Sequence, residues 1–159
     1  MTTSRPYRPD DLAACLALFD GNCPRFFAPS EREEFAAFLT APHPADAPYL
    51  VLEDEGDILA CGGIEISGPD AHLTWGMVAR DRHGQHLGTR LTEARLALAR
   101  TLPGVERLIL STSQHTQGFY AGFGFAVTAR TPDGFGPGLD RVDMALPFAP
   151  VGADPEIRT

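Results

Sequence analysis

The chain has 159 residues, 43% of them hydrophobic and 21% charged, enough for one domain with its own core and too little for two full ones. Its 13 basic and 21 acidic residues leave a net charge of −8 and a pI near 5.0, which opposes a phosphate backbone and excludes nucleic acid as the expected main partner. Every base is an arginine, so chemistry through a lysine nucleophile or Schiff base is excluded.

In chain order, residues 5–8 are expected to form a short edge strand, and Pro9-Asp10-Asp11 to cap a helix carrying Leu12, Cys15, Leu16 and Phe19 on one stripe. Ser30 is the expected N-cap of a second helix, with Glu33 reaching back to it and Phe35, Phe38 and Leu39 on its apolar side. Residues 41–48 read as a Pro/Ala loop. The period then changes to strand type: 49–52 and 58–66 flank an acidic Gly turn as a β-hairpin, and 72–78 adds a third antiparallel strand. Leu87, Leu91, Ala94, Leu98 and Leu102 recur at spacings of four and three, describing a helix from near Gly88 to just before Pro103. A buried strand at 107–112, a short helix at 117–121, a strand at 125–129, a Gly/Pro loop and a last strand at 141–146 complete the pattern. Strand 72–78, the helix and strand 107–112 form a β-α-β unit, implying one parallel pair inside a mixed, mainly antiparallel sheet with flanking helices, an α/β (α+β) fold. Residues 1–148 are read as one domain and 149–159 as a mobile tail.

No apolar stretch approaches the roughly 20 residues that span a bilayer, and the first residues lack the apolar core of a secretory signal. A cytoplasmic protein with no membrane partner is expected. Cys15, Cys23 and Cys61 form neither a disulfide framework nor a zinc cluster, and Cys15 and Cys61 are expected to be buried. His83, His86 and Asp81 are a poor metal set, so no metal is expected.

The most informative stretch runs from Trp75 to Leu91, where a strand enters a glycine-containing turn and then a helix. Free backbone N–H groups at the positive end of a helix suit a phosphate. Gly84 and Gly88 permit close approach, Thr89 adds a hydroxyl, and Arg80, Arg82 and Arg90 supply positive charge. There is no Gly-Lys-Ser/Thr for a nucleotide P-loop and no Gly-x-Gly-x-x-Gly for a dinucleotide fold. Gly76 within an apolar strand reads either as a bulge where a ligand meets the backbone or as a residue tolerated beside Trp75.

The segment His83-Gly84-Gln85-His86-Leu87-Gly88 resembles the Arg/Gln-x-x-Gly-x-Gly/Ala signature of the GNAT superfamily of acyl-CoA N-acyltransferases. His83 stands in place of Arg/Gln and His86 in place of the first Gly. Phe119-Tyr120-Ala121-Gly122-Phe123-Gly124-Phe125 is similar to the family's Phe-Tyr-x-x-x-Gly-Phe, in the matching order and on the matching elements. The resemblance implies the element order β-α-α-β-β-β-α-β-α-β-β and acetyl-CoA held where strands 72–78 and 107–112 splay apart. It implies backbone donors at Met77 and Val78 for the thioester carbonyl, and a pyrophosphate turn of His83, Gly84, Gln85, His86, Leu87, Gly88 and Thr89. Ser113 falls where the family commonly has Asn, and Tyr120 where it often has a general acid for the thiolate, although a core aromatic is the alternative.

Glu65, His72 and His115 are candidate bases, although a strand-end Glu or His such as Glu65 or His72 is more often merely solvated. Phe26, Phe27 and Phe135 are candidate acceptor contacts, with a buried plug as the other reading of the Phe pair. The expected activity is transfer of an acetyl group from acetyl-CoA to a primary amine of a small molecule. A non-catalytic CoA-binding or regulatory domain of the same fold is the alternative, a protein acceptor ranks lower, and a homodimer is left open.

Overall fold

Residues alternate between two faces along the central strands, and that alternation fixes which helix lies on which side. Val51 and Cys61 pack with Cys15, Phe19, Phe35 and Leu39, whereas their neighbours Leu52 and Ala60 pack with Leu87 and Leu91. The computed structural model describes residues 2–148, so the expected mobile tail at 149–159 lies outside the described residues. Its elements are β1 (Thr3–Pro6), α1 (Leu12–Gly21), α2 (Arg32–Thr40), β2 (Leu50–Asp54), β3 (Asp57–Ser67), β4 (Asp70–Val78), α3 (Leu87–Arg100), β5 (Arg107–Thr112), α4 (Gln117–Ala121), β6 (Ala126–Gly136) and β7 (Leu139–Pro147). This is the expected order, and Cys15 and Cys61 are buried as expected.

The strands form one sheet in the order β1-β2-β3-β4-β5-β7-β6. Among the described residues only β4 and β5 run parallel, as the crossover through α3 requires. Helices α1 and α2 cover one face through the aromatic cluster around Tyr49 and Trp75. Helix α3 covers the other, where Leu96 and Ala99 meet Ile64, Leu73, Leu108 and Leu110. The β2–β3 hairpin closes on Glu55 and Gly56, both at positive φ (51° and 87°), the backbone that a two-residue turn between twisted strands demands.

Three local expectations change. Ser30 is not the N-cap of α2: Pro29 starts a 3₁₀ turn over Pro29–Glu31, and Glu31, not Glu33, reaches back to accept the Ala28 N–H at 2.8 Å. The expected Gly/Pro loop after residue 129 is mostly strand, because β6 continues to Gly136 and turns through Pro137 and Gly138 into β7. The buried stripe of α3 is Leu87, Leu91, Thr92, Arg95, Leu96 and Ala99, so Ala94 and Leu98 flank it and a charged residue sits at its centre. Among the described residues, no helix is long and apolar enough to cross a membrane.

Candidate active site

β4 and β5 pair only from Asp70↔Arg107 to Leu73↔Leu110. Beyond that β4 runs on to Val78 while β5 stays paired with β7 as far as Thr112. The two parallel strands therefore part, and a cavity of about 730 Å³ opens between them. Its walls are residues 72–78 of β4, 110–113 around the end of β5, the start of α3, α4 and the α1–α2 connection.

The divergence begins at a bulge. Cys61 pairs with Met77 and Gly63 with Thr74, so Gly62 alone faces Trp75 and Gly76. Trp75 has φ 44°, an uncommon backbone for a bulky residue, and the Tyr49 hydroxyl donates to its carbonyl at 2.6 Å. Tyr49 is fully buried, which pushes its phenol well above the ordinary tyrosine range and keeps it a donor. Met77 and Val78 follow at once and line the cavity. Asn22, buried at the end of α1, donates from Nδ2 to Val78 O at 2.8 Å and so ties the strand end down.

At one end of the cavity α3 begins. His86 is its N-cap, in left-handed geometry (φ 62°, ψ 18°) with no side-chain capping bond, and the first N–H groups of a helix have no carbonyl of their own to meet. Gly84, at φ 89°, has open space around it, and a side chain at Gly88 would meet Phe119 at 3.4 Å. His83 Nε2 lies 3.1 Å from Val78 O, and its ring meets Phe26 edge-on at 5.5 Å. Arg80 also stacks over Phe26, at 5.1 Å. Arg82 lines the cavity, but Arg90 does not, because its guanidinium donates to Thr2 O at 2.8 Å on another surface.

Toward the middle, Tyr120 of α4 lines the cavity, and its hydroxyl accepts a 3.4 Å hydrogen bond from Arg95 Nη2. Ser113 is buried, with Oγ accepting the His115 N–H at 3.3 Å. Glu65 and His72 are direct cross-strand partners and both face the same space, as does His115, whose ring meets Phe26 edge-on at 5.9 Å. Phe26, Phe27 and Phe135 line it too, with Glu31 and Glu34. Burial raises the Glu31 carboxyl above its ordinary value, against the Ala28 N–H bond that lowers it.

The fold thus brings every candidate site residue to one cavity except Gln85, whose N–H donates to Arg82 O at 3.3 Å within the turn. The sequence reading missed Thr74, Thr92 and Arg95, which line the same cavity and carry buried side-chain atoms without hydrogen-bond partners. A signal for Arg95 exists: it follows Leu87 and Leu91 at spacings of four, on the stripe that must be buried.

The chain matches the model of the acetyltransferase (GNAT) family over residues 14–125. Among solved structures it is similar to the ribosomal-protein-S18-alanine N-acetyltransferase from Escherichia coli, at 20% identity and TM-score 0.76 over 97% of this chain and 99% of that one. It is similar to a GCN5-related N-acetyltransferase from Kribbella flavida, at 19% identity and TM-score 0.76 over 92% and 98%. It is also similar to yncA from Salmonella typhimurium with its cofactor acetyl-CoA, at 20% identity and TM-score 0.75 over 97% and 98%. No curated protein matches.

Proposed function

We propose that this protein, which belongs to the acetyltransferase (GNAT) family, transfers an acetyl group from acetyl-CoA to the primary amine of a small molecule. The observation that carries the reading is the parting of β4 and β5 beyond Leu73 and Leu110, with a strand bulge, a helix N-terminus and a tyrosine hydroxyl all on the opened cavity. That a similar structure holds acetyl-CoA supports the choice of donor.

Four needs of acyl transfer each have groups on the cavity to meet them. The thioester carbonyl needs hydrogen-bond donors where negative charge develops, and the Met77 and Val78 backbone beyond the bulge supplies them. The pyrophosphate needs N–H groups and positive charge, offered by the His83–Thr89 turn, the start of α3 and Arg82. The departing thiolate needs a proton, and Tyr120 Oη is the donor. The attacking amine must lose a proton, and the Glu65–His72 pair and His115 face the space where it would be taken up, directly or through water. Phe26, Phe27 and Phe135 form an apolar acceptor wall, while Glu31 and Glu34 favour a cationic molecule over an anionic one. The cavity suits a small molecule, and a cytoplasmic location goes with that donor.

The test is release of free thiol from acetyl-CoA across a panel of small amines. Amine-dependent release is expected, falling by about a hundredfold in Tyr120→Phe with the KM for acetyl-CoA little changed. Binding of acetyl-CoA without amine-dependent release would favour the second reading, a CoA-binding module, which the left-handed His86 at the phosphate turn recommends. No binding at all would defeat both.

A further inference from the structure

Arg95 is 1% exposed, yet no carboxylate among the described residues pairs with it. Its Nε has no partner, and its hydrogen bond runs from Nη2 to Tyr120 Oη. Tyr49 and Cys61, two titratable groups that its charge influences, are fully buried and held above their ordinary ranges, so both stay neutral and neither offsets the cation. A buried guanidinium without a counter-charge is costly, and an apolar residue on this stripe would avoid the cost.

The sheet is also shaped around it. A Cβ at Gly76 would lie 2.7 Å from Nη2 and 2.9 Å from Nη1, and one at Gly62 would lie 3.2 Å from Cζ. Two glycines on adjacent strands, one in the β4 bulge itself, leave the space that the guanidinium fills. The guanidinium borders the floor of the cavity but is 1% exposed, while Tyr120, which it touches, is partly exposed on the same cavity.

We infer that Arg95 is a positioning residue for acyl transfer, acting through Tyr120: it holds Oη by donating to it, aims the phenolic hydrogen into the cavity, and favours the phenolate left when that hydrogen departs. The inference rests on the role proposed for Tyr120. In the step, the amine nitrogen bonds to the acyl carbon and the carbon–sulfur bond breaks with its electron pair going to sulfur. The sulfur takes the Tyr120 proton. The proton released by the amine nitrogen is taken up at the Glu65–His72 pair or His115 and passes from there through water to the phenolate, and Arg95 keeps all of its own. With Nη2 donating to the phenol oxygen, that oxygen cannot turn its hydrogen toward Arg95, so the hydrogen is available to the cavity.

The experiment is a double-mutant cycle on the full chain, with acetyl-CoA and the amine of highest turnover from the panel. Arg95→Met is expected to lower kcat about tenfold or more with the KM for acetyl-CoA within about twofold, to have less than about a twofold effect in the Tyr120→Phe background, and to unfold at the same or a higher temperature. Arg95→Lys keeps the charge and is expected to recover part of the lost kcat, and it serves also if Arg95→Met does not fold. Losses that multiply in the double variant, or a fall in activity that follows a fall in unfolding temperature, overturn the inference and leave the proposed function standing. A wild-type chain that releases no thiol with any amine overturns both.

Discussion

The Tyr49 hydroxyl donates at 2.6 Å to the carbonyl oxygen of Trp75, the residue whose φ of 44° forms the bulge in β4. A non-glycine residue held in that region costs about 1–3 kcal/mol and persists where its surroundings over-determine it. Here the surroundings are this hydrogen bond, the stacking of Trp75 on Phe27 and its tilted contact with Phe35. Tyr49→Phe keeps the ring and removes the donor. It is expected to lower stability by about 1–2 kcal/mol in urea denaturation and to reduce kcat several-fold, because Met77 and Val78 lean on the same bulge. Unchanged values in both measurements would mean that the strand pairing alone holds it.

Gly76→Ala tests the slot around Arg95 directly. The added methyl meets the guanidinium at 2.7 Å, and Arg95, 1% exposed, has little room to give, so a loss of about 1–3 kcal/mol is expected. Combining it with Arg95→Met removes the colliding group and should return most of that loss. Gly118 is the control: nothing lies within 4 Å of a Cβ there, and Gly118→Ala in α4 is expected to stabilise by about 0.5–1 kcal/mol. Urea midpoints of these variants decide between steric and general effects.

Acid should weaken the first strand's anchorage. Arg5 of β1 donates to both carboxylate oxygens of Asp11, at 2.8 and 2.9 Å, and to Glu53 of β2. The Arg5 hydrogen bonds, helped by the Arg8 N–H, hold the Asp11 carboxyl below its ordinary value. A depressed folded-state pKa stabilises the fold at pH values above the unfolded one, and this contribution is lost as pH falls through the ordinary aspartate range toward the folded value. Asp11→Asn is expected to cost about 1–3 kcal/mol at neutral pH and to flatten the stability curve below about pH 4. A variant curve that keeps the wild-type slope would contradict the assignment.

His86→Gly addresses the departure from the GNAT signature. A histidine at φ 62° is strained by about 1–2 kcal/mol relative to the right-handed region, and glycine carries no such penalty. With no side-chain capping bond to lose, the variant is expected to be as stable as wild type or more so, and to bind acetyl-CoA at least as tightly by calorimetry. Binding weakened about tenfold or more would assign the imidazole itself to the phosphates.

The element order was legible because it rests on local patterns: the two periodicities, the turn residues at 53–57, and the motif pair around Gly88 and Tyr120. That nearly all of the candidate site residues share one cavity was legible for the same reason, since a strand, a turn and a helix in succession carry most of the Met77–Thr89 segment to one place. Local errors arose where neighbouring residues competed for one role. Pro29 took the helix start from Ser30, and pairing with β7 drew the Gly-rich segment after residue 129 into a strand.

By itself the sequence determined the family, the strand–turn–helix proposed here for a phosphate, and a chain without lysine whose local positive charge is all arginine. Only the tertiary structure decided where those arginines act: Arg80 on Phe26, Arg90 on the Thr2 carbonyl, and Arg95 between two sheet glycines against Tyr120. Periodicity says that a helix has a buried stripe, but its exact edge depends on how the helix sits on the sheet. A rotation of one residue decides whether Arg95 points into water or onto the bulge, and that is set by Leu91, Gly62 and Gly76 together, residues separated along the chain and joined by packing alone.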